Sequence, residues 1–198
     1  MSVAVVRLGV GNTASIMFAM ERLGADAFLT ERADEIASAE RVILPGVGAA
    51  AWAMTRVEAL GLGDVLRDFP RPLLGVCLGQ QLLYETSEEG SARALGRIKG
   101  AVRALVPARD RPCPHMGWNR LEVVREDPLL EGVEDGAWAY FVHGYACPVG
   151  PGTVTRTDYG AAFSSMVRAE NAWGCQFHPE RSAEAGARIL HNFLRLPC

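Results

Sequence analysis

The first 85 residues alternate between apolar runs and helical patterns. Four apolar runs have the length of buried strands. They lie at 3–6, 27–29, 41–44 and 73–76. Four segments with the apolar spacing or composition of helices lie between and after them, at 13–23, 34–39, 49–60 and 78–85. This alternation predicts a parallel sheet covered on both faces.

The second half has a different pattern, in which strand-like runs are joined by turns. These runs lie at 101–105, 120–124, 138–142, 153–157, 161–167 and 173–177. An amphipathic helix at 182–194 closes the chain, with Ser182 as its expected N-cap. We therefore predict an α/β fold, with a mostly parallel central sheet flanked by helices and an antiparallel extension. All of 1–198 is expected to form a single domain.

Composition and charge narrow the functional classes. A hydrophobic content of 49% with 22% charged residues is typical of a globular protein. The net charge of −3, with no basic run, argues against nucleic acid or an anionic membrane as the main partner. No signal peptide or membrane span is recognisable, and five cysteines without CxxC spacing indicate neither a disulfide framework nor a zinc site. We expect a cytoplasmic protein that needs no metal or organic cofactor.

The segment Gly75-Val-Cys77-Leu-Gly79 carries the first chemical signal. An apolar strand leads into Cys77, glycines lie two residues to either side, and a helical pattern begins at once. This is the arrangement of a nucleophile elbow with cysteine as the nucleophile, and a following helix N-terminus favours thiolate over thiol. A buried cysteine in an ordinary strand-to-helix turn is the alternative.

Two further segments supply the remaining parts of an acyl-transfer site. His178 and Glu180, in Gln176-Phe-His-Pro-Glu180, provide a base and an acceptor to orient it, although such a turn also occurs as plain surface structure. The loop Pro45-Gly-Val-Gly48 follows a strand and offers backbone N–H groups for an oxyanion, or forms a simple turn. All three segments end strands, which is where open α/β sheets bind ligands.

Together these segments resemble the class I (triad) glutamine amidotransferases. The strings Leu44-Pro-Gly-Val-Gly48, Pro114-His-Met-Gly-Trp-Asn119 and Tyr140-Phe-Val-His143 narrow the resemblance to histidine-pathway glutaminase subunits. The likeness covers the whole chain in order. It implies that Cys77 attacks the side-chain amide of glutamine, with His178 as base and Glu180 orienting the imidazole. The backbone amides of Val47 and Leu78 would form the oxyanion hole.

The resemblance also implies substrate and partner contacts. Substrate groups would be held by Gly48, Gln81, Glu89, Gly144 and Tyr145. Without the resemblance, Glu89 beside Glu88 is interpreted as part of a solvated charge pair. The ammonia would pass to a (β/α)8-barrel cyclase subunit in a heterodimer, contacted through Asn12, Met116, Trp118 and Asn119. Trp118 is equally typical of a buried core tryptophan.

Two positions depart from the family pattern. Arg7-Leu8 stands where an acidic residue followed by Tyr or Thr is common, which changes the charge near the expected partner contact. Gly144 replaces a common serine after His143 and so removes a hydroxyl but no backbone group. His143 itself is interpreted as a satisfied core histidine.

Three other functions fit parts of the pattern. The glutaminase subunit of pyridoxal phosphate synthase has a similar triad and size, but is expected to lack the Pro114 to Asn119 string. A stand-alone hydrolase or peptidase could use Cys77, although Gln81 and the Glu88-Glu89 pair favour an amino-acid substrate. A binding module with a dead site is disfavoured by the intact Cys77, His178 and Glu180.

Overall fold

A computed structural model describes residues 2–9 and 13–198 of the protein. The strands are β1 (Ser2–Val6), β2 (Asp26–Thr30), β3 (Arg41–Gly46), β4 (Leu73–Cys77), β5 (Tyr84–Ser87), β6 (Ala92–Arg93), β7 (Ile98–Ala104), β8 (His115–Val123), β9 (Ala137–His143), β10 (Tyr145–Ala146), β11 (Thr153–Asp158), β12 (Ala162–Ala169) and β13 (Ala172–Cys175). The helices are α1 (Thr13–Arg22), α2 (Ala33–Ser38), α3 (Ala50–Ala59), α4 (Gly63–Arg67), α5 (Leu78–Leu82) and α6 (Ala183–Arg195). Short 3₁₀ turns lie at Glu89–Ser91, Pro128–Leu130 and Pro179–Arg181.

Nine of these strands form one mixed sheet in the order β2-β1-β3-β4-β13-β12-β11-β8-β9. The five strands from β2 to β13 pair in parallel, and the remaining pairs are antiparallel. The predicted fold class is therefore confirmed. The antiparallel extension continues the parallel sheet edge to edge, because β12 pairs with β13.

Helices cover both faces of the parallel half. Successive residues of a strand point to opposite faces. Accordingly Val3 and Val5 pack in one hydrophobic cluster with residues of α1 and α6, whereas Ala4 and Val6 pack in a second with residues of α2 to α5. This two-sided burial explains why the first strands are continuous apolar runs.

A second, four-stranded sheet lies beside the first, in the order β10-β7-β5-β6. The strand predicted at 101–105 belongs here, but it begins earlier, at Ile98, and ends at Ala104 as β7. The helix predicted at 78–85 is wrong in its second half, since α5 ends at Leu82 and Tyr84–Ser87 forms β5. Pairing of β5 with β7 outweighs the local helical preference. The strand predicted at 120–124 begins earlier, at His115.

Candidate active site

Cys77 lies at the tip of a sharp turn between β4 and α5. Its φ of 54° is a left-handed conformation that residues other than glycine rarely adopt. A Cβ added to Gly75 would lie 2.5 Å from the Gly79 carbonyl oxygen, and one added to Gly79 would lie 1.8 Å from the carbonyl oxygen of Leu44. Only glycine permits this approach, so the turn has the strand–elbow–helix geometry that the spacing predicts.

Sheet pairing brings the three predicted segments together at the carboxyl ends of β3, β4 and β13. In the parallel pair of β4 and β13, Val76 lies opposite Cys175, so His178 follows just beyond the same edge as Cys77. In the parallel pair of β3 and β4, Gly46 lies opposite Cys77. The glycine loop after β3 and the His178 turn after β13 therefore flank the nucleophile from both sides.

His178 and Glu180 form a buried ion pair beside Cys77. His178 Nδ1 lies 2.9 Å from Glu180 Oε1, with the two side chains 8% and 2% exposed. His178 Nε2 is buried without a partner in regular hydrogen-bond geometry, and Cys77 is its reactive neighbour on that side. Burial by itself lowers the pKa of His178, but the interactions with Cys77 and Glu180 outweigh it and raise that pKa to about 10. The imidazole therefore holds a proton at neutral pH.

The turn that carries His178 is anchored to β9. The N–H of His178 donates to the Tyr140 carbonyl at 2.9 Å, and the Tyr140 N–H donates to Ser182 Oγ at 2.9 Å. Ser182 Oγ in turn donates to the His178 carbonyl at 2.7 Å. Ser182 stands at the N-cap position of α6, but its hydroxyl does not cap the helix as predicted. It fixes the His178 turn instead.

A cleft of about 300 Å³ opens at Cys77. It is lined by all the residues predicted for the oxyanion hole and substrate, namely Val47, Gly48, Leu78, Gln81, Glu89, Gly144 and Tyr145. The glycine loop approaches the elbow closely, since a Cβ on Gly46 would lie 3.1 Å from the Leu78 Cβ. The loop and the elbow thus border the same cleft.

Two of these side chains also make protein contacts. Glu89 Oε2 accepts the Ala50 N–H at 2.8 Å and ties the 3₁₀ turn to the start of α3. Glu89 is thus an ordered part of the cleft, not half of a solvated pair. Gln81 Nε2 donates to the Tyr145 carbonyl at 2.9 Å and to Gln176 Oε1 at 3.0 Å. Both N–H bonds of Gln81 are used within the protein.

Gln176 is a site residue that the sequence analysis missed. Its side chain is fully buried, and its Nε2 donates to Cys77 Sγ at 3.7 Å. The Cys77 thiol also contacts the Val142 carbonyl at 3.8 Å. Gln176 stands two residues before His178, so its place in the motif was the one available signal.

The residues expected at a partner interface lie on β8, except for Asn12, which is outside the described residues. Met116 is 64% exposed and Trp118 51% exposed, which excludes the alternative of a core tryptophan. The Trp118 ring contacts Tyr140 edge to face. Asn119 makes contacts within the chain, to the Asp158 carbonyl and the Arg120 N–H. Arg7, where the pattern departs, pairs with Glu31 at 2.8 Å.

Residues 2–9 and 13–198 contain no group of three or more His, Cys, Asp or Glu side chains placed to hold a metal ion. None of the helices in these ranges is long and apolar enough to cross a membrane.

Comparison with known proteins identifies the family. The family model "Glutamine amidotransferase class-I" matches residues 9–196. Two solved structures share the fold. A glutamine amidotransferase has a TM-score of 0.76 at 21% identity, covering 98% of this chain and 97% of that one. PurLQS from Thermotoga maritima has a TM-score of 0.68 at 19% identity, with the same coverage. The chain belongs to the class I glutamine amidotransferase family.

Curated relatives narrow the family assignment to one group of subunits. The imidazole glycerol phosphate synthase subunit HisH of Xanthomonas axonopodis pv. citri (strain 306) is 52% identical over 194 residues, which is 98% of this chain and 97% of that protein. The HisH subunit of Xylella fastidiosa (strain Temecula1 / ATCC 700964) is 49% identical at the same coverage. Within the family, the chain falls among the HisH subunits of imidazole glycerol phosphate synthase.

Proposed function

We propose that this chain hydrolyses glutamine to glutamate and ammonia and delivers the ammonia to a (β/α)8-barrel cyclase subunit. The cyclase uses the ammonia to make imidazole glycerol phosphate and an aminoimidazole carboxamide ribonucleotide. The observation that carries the proposal is the Cys77, His178 and Glu180 constellation at one edge of the sheet, opening into a cleft of amino-acid size. The triad acts within a class I glutamine amidotransferase domain that extends over 1–198.

The first half of the reaction uses the proton on His178. Cys77 attacks as the thiolate partner of imidazolium His178: its sulfur bonds to the amide carbon of the glutamine side chain, and the carbonyl electrons move to the oxygen. Imidazolium His178 then gives its proton to the amide nitrogen, the carbon–nitrogen bond breaks, and ammonia leaves a glutamyl thioester. Glu180 keeps the imidazole oriented by accepting from Nδ1 at 2.9 Å.

The second half returns the enzyme to its starting state. His178, now neutral, takes a proton from water, and the resulting hydroxide attacks the thioester carbon. The carbon–sulfur bond breaks, glutamate is released, and Cys77 and His178 regain their starting charges. In both halves the backbone amides of Val47 and Leu78 stabilise the tetrahedral oxyanion.

Glutamine is held by the residues that line the cleft. The two N–H bonds of Gln81 are already used, so its Oε1 is the group offered to the substrate ammonium. The Glu89 carboxylate adds negative charge on the same side. Gly48, Gly144 and Tyr145 contribute backbone groups. No metal or organic cofactor takes part in this scheme.

The partner surface lies on β8, next to the cleft. Pro114 lines the cleft, and Trp118 is four residues further along, about 13 Å at ~3.3 Å per residue. Large exposed apolar side chains such as Met116 and Trp118 mark interaction surfaces, and rigid aromatics anchor them. Asn119 and Asn12 belong to the same proposed contact. The site needs a reduced Cys77, which supports a cytoplasmic location.

Glutamate release tests the proposal. We would measure it for the purified chain alone, and with a barrel cyclase plus its phosphorylated ribulosyl aminoimidazole nucleotide. A low rate alone and a large nucleotide-dependent rise are expected. Full activity alone would favour an independent hydrolase, and no activity under either condition would overturn the proposal.

A Trp118→Ala variant separates the partner contact from the chemistry. We expect it to lose most of the stimulation while its basal rate stays unchanged, because Trp118 does not line the Cys77 cleft. Leu29, 40% exposed on β2 at the opposite edge of the sheet, provides a control in Leu29→Ala. Stimulation that survives in Trp118→Ala would remove this residue from the interface.

A further inference from the structure

Two buried histidines beside the cleft have no part in the mechanism above. His115 begins β8 and His143 ends β9, and the two face each other in the antiparallel register. His143 lines the cleft. The ring of His115 stacks on Tyr159, with centroids 4.0 Å apart, and on Phe141 at 4.9 Å. The ring of His143 packs edge to face against Phe163, with centroids 4.9 Å apart. Both rings are therefore held in place by packing as well as by hydrogen bonds.

The hydrogen bonds of this pair run in one direction. The Tyr145 carbonyl can only accept, so His143 Nδ1, 2.7 Å away, must carry a hydrogen. In a neutral ring His143 Nε2 is then an acceptor, and His115 Nδ1, 3.0 Å away, must donate to it. His115 Nε2 is left as an acceptor for the Asn119 side-chain amide at 3.4 Å.

The orientation of the Asn119 amide, at the start of this series of hydrogen bonds, is fixed independently of the two histidines. Asn119 Nδ2 donates to the Asp158 carbonyl at 3.0 Å, and its Oδ1 accepts the Arg120 N–H at 2.8 Å. These contacts allow only one orientation of the amide, with Nδ2 toward His115. Burial lowers the pKa of His115 to about 4 and that of His143 to about 3, so both rings are neutral at pH 7. Each therefore carries its hydrogen on Nδ1.

The Tyr145 end of this series of hydrogen bonds reaches the substrate side of the cleft. The Tyr145 carbonyl accepts from His143 and also from Gln81 Nε2 at 2.9 Å. Gln81 continues to Gln176 Oε1 at 3.0 Å, and Gln176 Nε2 reaches Cys77 Sγ at 3.7 Å. The orientation of the Gln81 amide thus depends on where the Tyr145 carbonyl is held.

We propose that His143, itself held by His115, is a positioning residue for glutamine: the chain Asn119–His115–His143 fixes the Tyr145 carbonyl and thereby turns Gln81 Oε1 toward the substrate. This inference rests on the proposed glutaminase function. It assigns His143 a role in substrate affinity rather than in the transfer of protons to or from the reacting atoms.

Two substitutions separate the two hydrogen bonds of His143, because each keeps only one of them. In His143→Asn the amide nitrogen replaces Nδ1 and keeps the bond to Tyr145, whereas in His143→Gln the amide oxygen replaces Nε2 and keeps only the bond from His115. In the complex with the barrel cyclase, we expect KM for glutamine to be at least tenfold higher in His143→Gln than in His143→Asn. We expect kcat to agree within about threefold between the two variants. Equal KM values would overturn the proposal.

Thr155→Val controls for a general loss of buried polar contacts. Thr155 Oγ1 lies 2.8 Å from Ser165 Oγ in the same antiparallel region, but it contacts neither histidine nor the cleft. The variant should lose stability without a change in KM. A rise in KM equal to that of His143→Gln would show that His143 acts only through stability.

A spectroscopic test is independent of activity. The chain has four histidines, so ¹⁵N spectra of the imidazoles can be assigned by substitution. We expect His115 and His143 both to be neutral with hydrogen on Nδ1 at pH 7. Either ring with its hydrogen on Nε2, or doubly protonated, would overturn the proposal. If the wild-type complex releases no glutamate, the proposed function fails while this spectrum still tests the histidine chain.

Discussion

The cleft has two walls that are built by different physical means. On the elbow wall, Gly75 and Gly79 leave no room for a side chain, since a Cβ on Gly79 would lie 1.8 Å from a backbone oxygen. On the opposite wall, a Cβ on Gly144 would meet Cys113 Sγ at an ordinary 3.6 Å. The nucleophile is thus placed by excluded volume, and the substrate side by hydrogen bonds between strands. Local packing constrains the first wall, and sheet register the second.

The largest expected effect is on the rate of glutamate release, when the nucleophile on the elbow wall is removed. Cys77→Ala removes the reacting sulfur, so we expect glutamate release to fall by a factor on the order of 10⁴ or more. Gln176→Leu removes a hydrogen bond to that sulfur but keeps the nucleophile, and should cost far less. Rates of glutamate release in the cyclase complex provide the measurement. Comparable losses in the two variants would contradict a special role for Cys77.

The next largest effect concerns stability. Gly79→Ala forces a side chain into the Leu44 carbonyl oxygen, and we expect a loss of about 4 kcal/mol or more in the free energy of unfolding. A loss of that size approaches the whole stability of a typical domain. Gly144→Ala is the matched control and should change stability by less than about 1 kcal/mol. Denaturant titration followed by circular dichroism measures both, and similar losses would refute the contrast.

The same contrast decides what the sequence could predict. The elbow is visible because Gly75, Cys77 and Gly79 lie within five residues and their spacing reports their packing. His178 and Glu180 are visible for the same reason. The role of the His115–His143 pair depends on which strands become neighbours, and no local pattern encodes that. The fold class was predictable because each parallel strand is a continuous apolar run.

Exposed apolar residues explain the misplaced start of β8. Its buried positions include His115 and Leu121, whereas Met116 and Trp118 face solvent. Apolar side chains on the outer face reverse the usual alternation, so only the end of the strand was recognised. The violation of the pattern is itself evidence for a contact surface.

A smaller effect is expected in the titration of His178. Its pKa is about 10, and Cys77 contributes to that increase. In Cys77→Ala the pKa should be lower, which ¹⁵N or ¹³C NMR of the ring can follow. Because the folded pKa lies above the ordinary 6.5, protonated His178 stabilises the fold fully below pH 6.5 and the contribution is lost as the pH rises to about 10. An unchanged pKa in Cys77→Ala would mean that the thiol and the imidazole are uncoupled.

The smallest effect reverses sign between the walls. Cys77 is held at a φ of 54°, which costs a side-chain-bearing residue about 1 kcal/mol or more. Cys77→Gly should therefore be more stable than Cys77→Ala by about 1 kcal/mol, although glycine costs more entropy on folding. Gly144 has no positive φ, so there alanine should be at least as stable as glycine, by up to ~1 kcal/mol. Free energies of unfolding for the four chains provide the comparison. Alanine as stable as glycine or more stable at both positions would mean that the elbow stores no backbone strain, and that excluded volume at the two glycines alone shapes it.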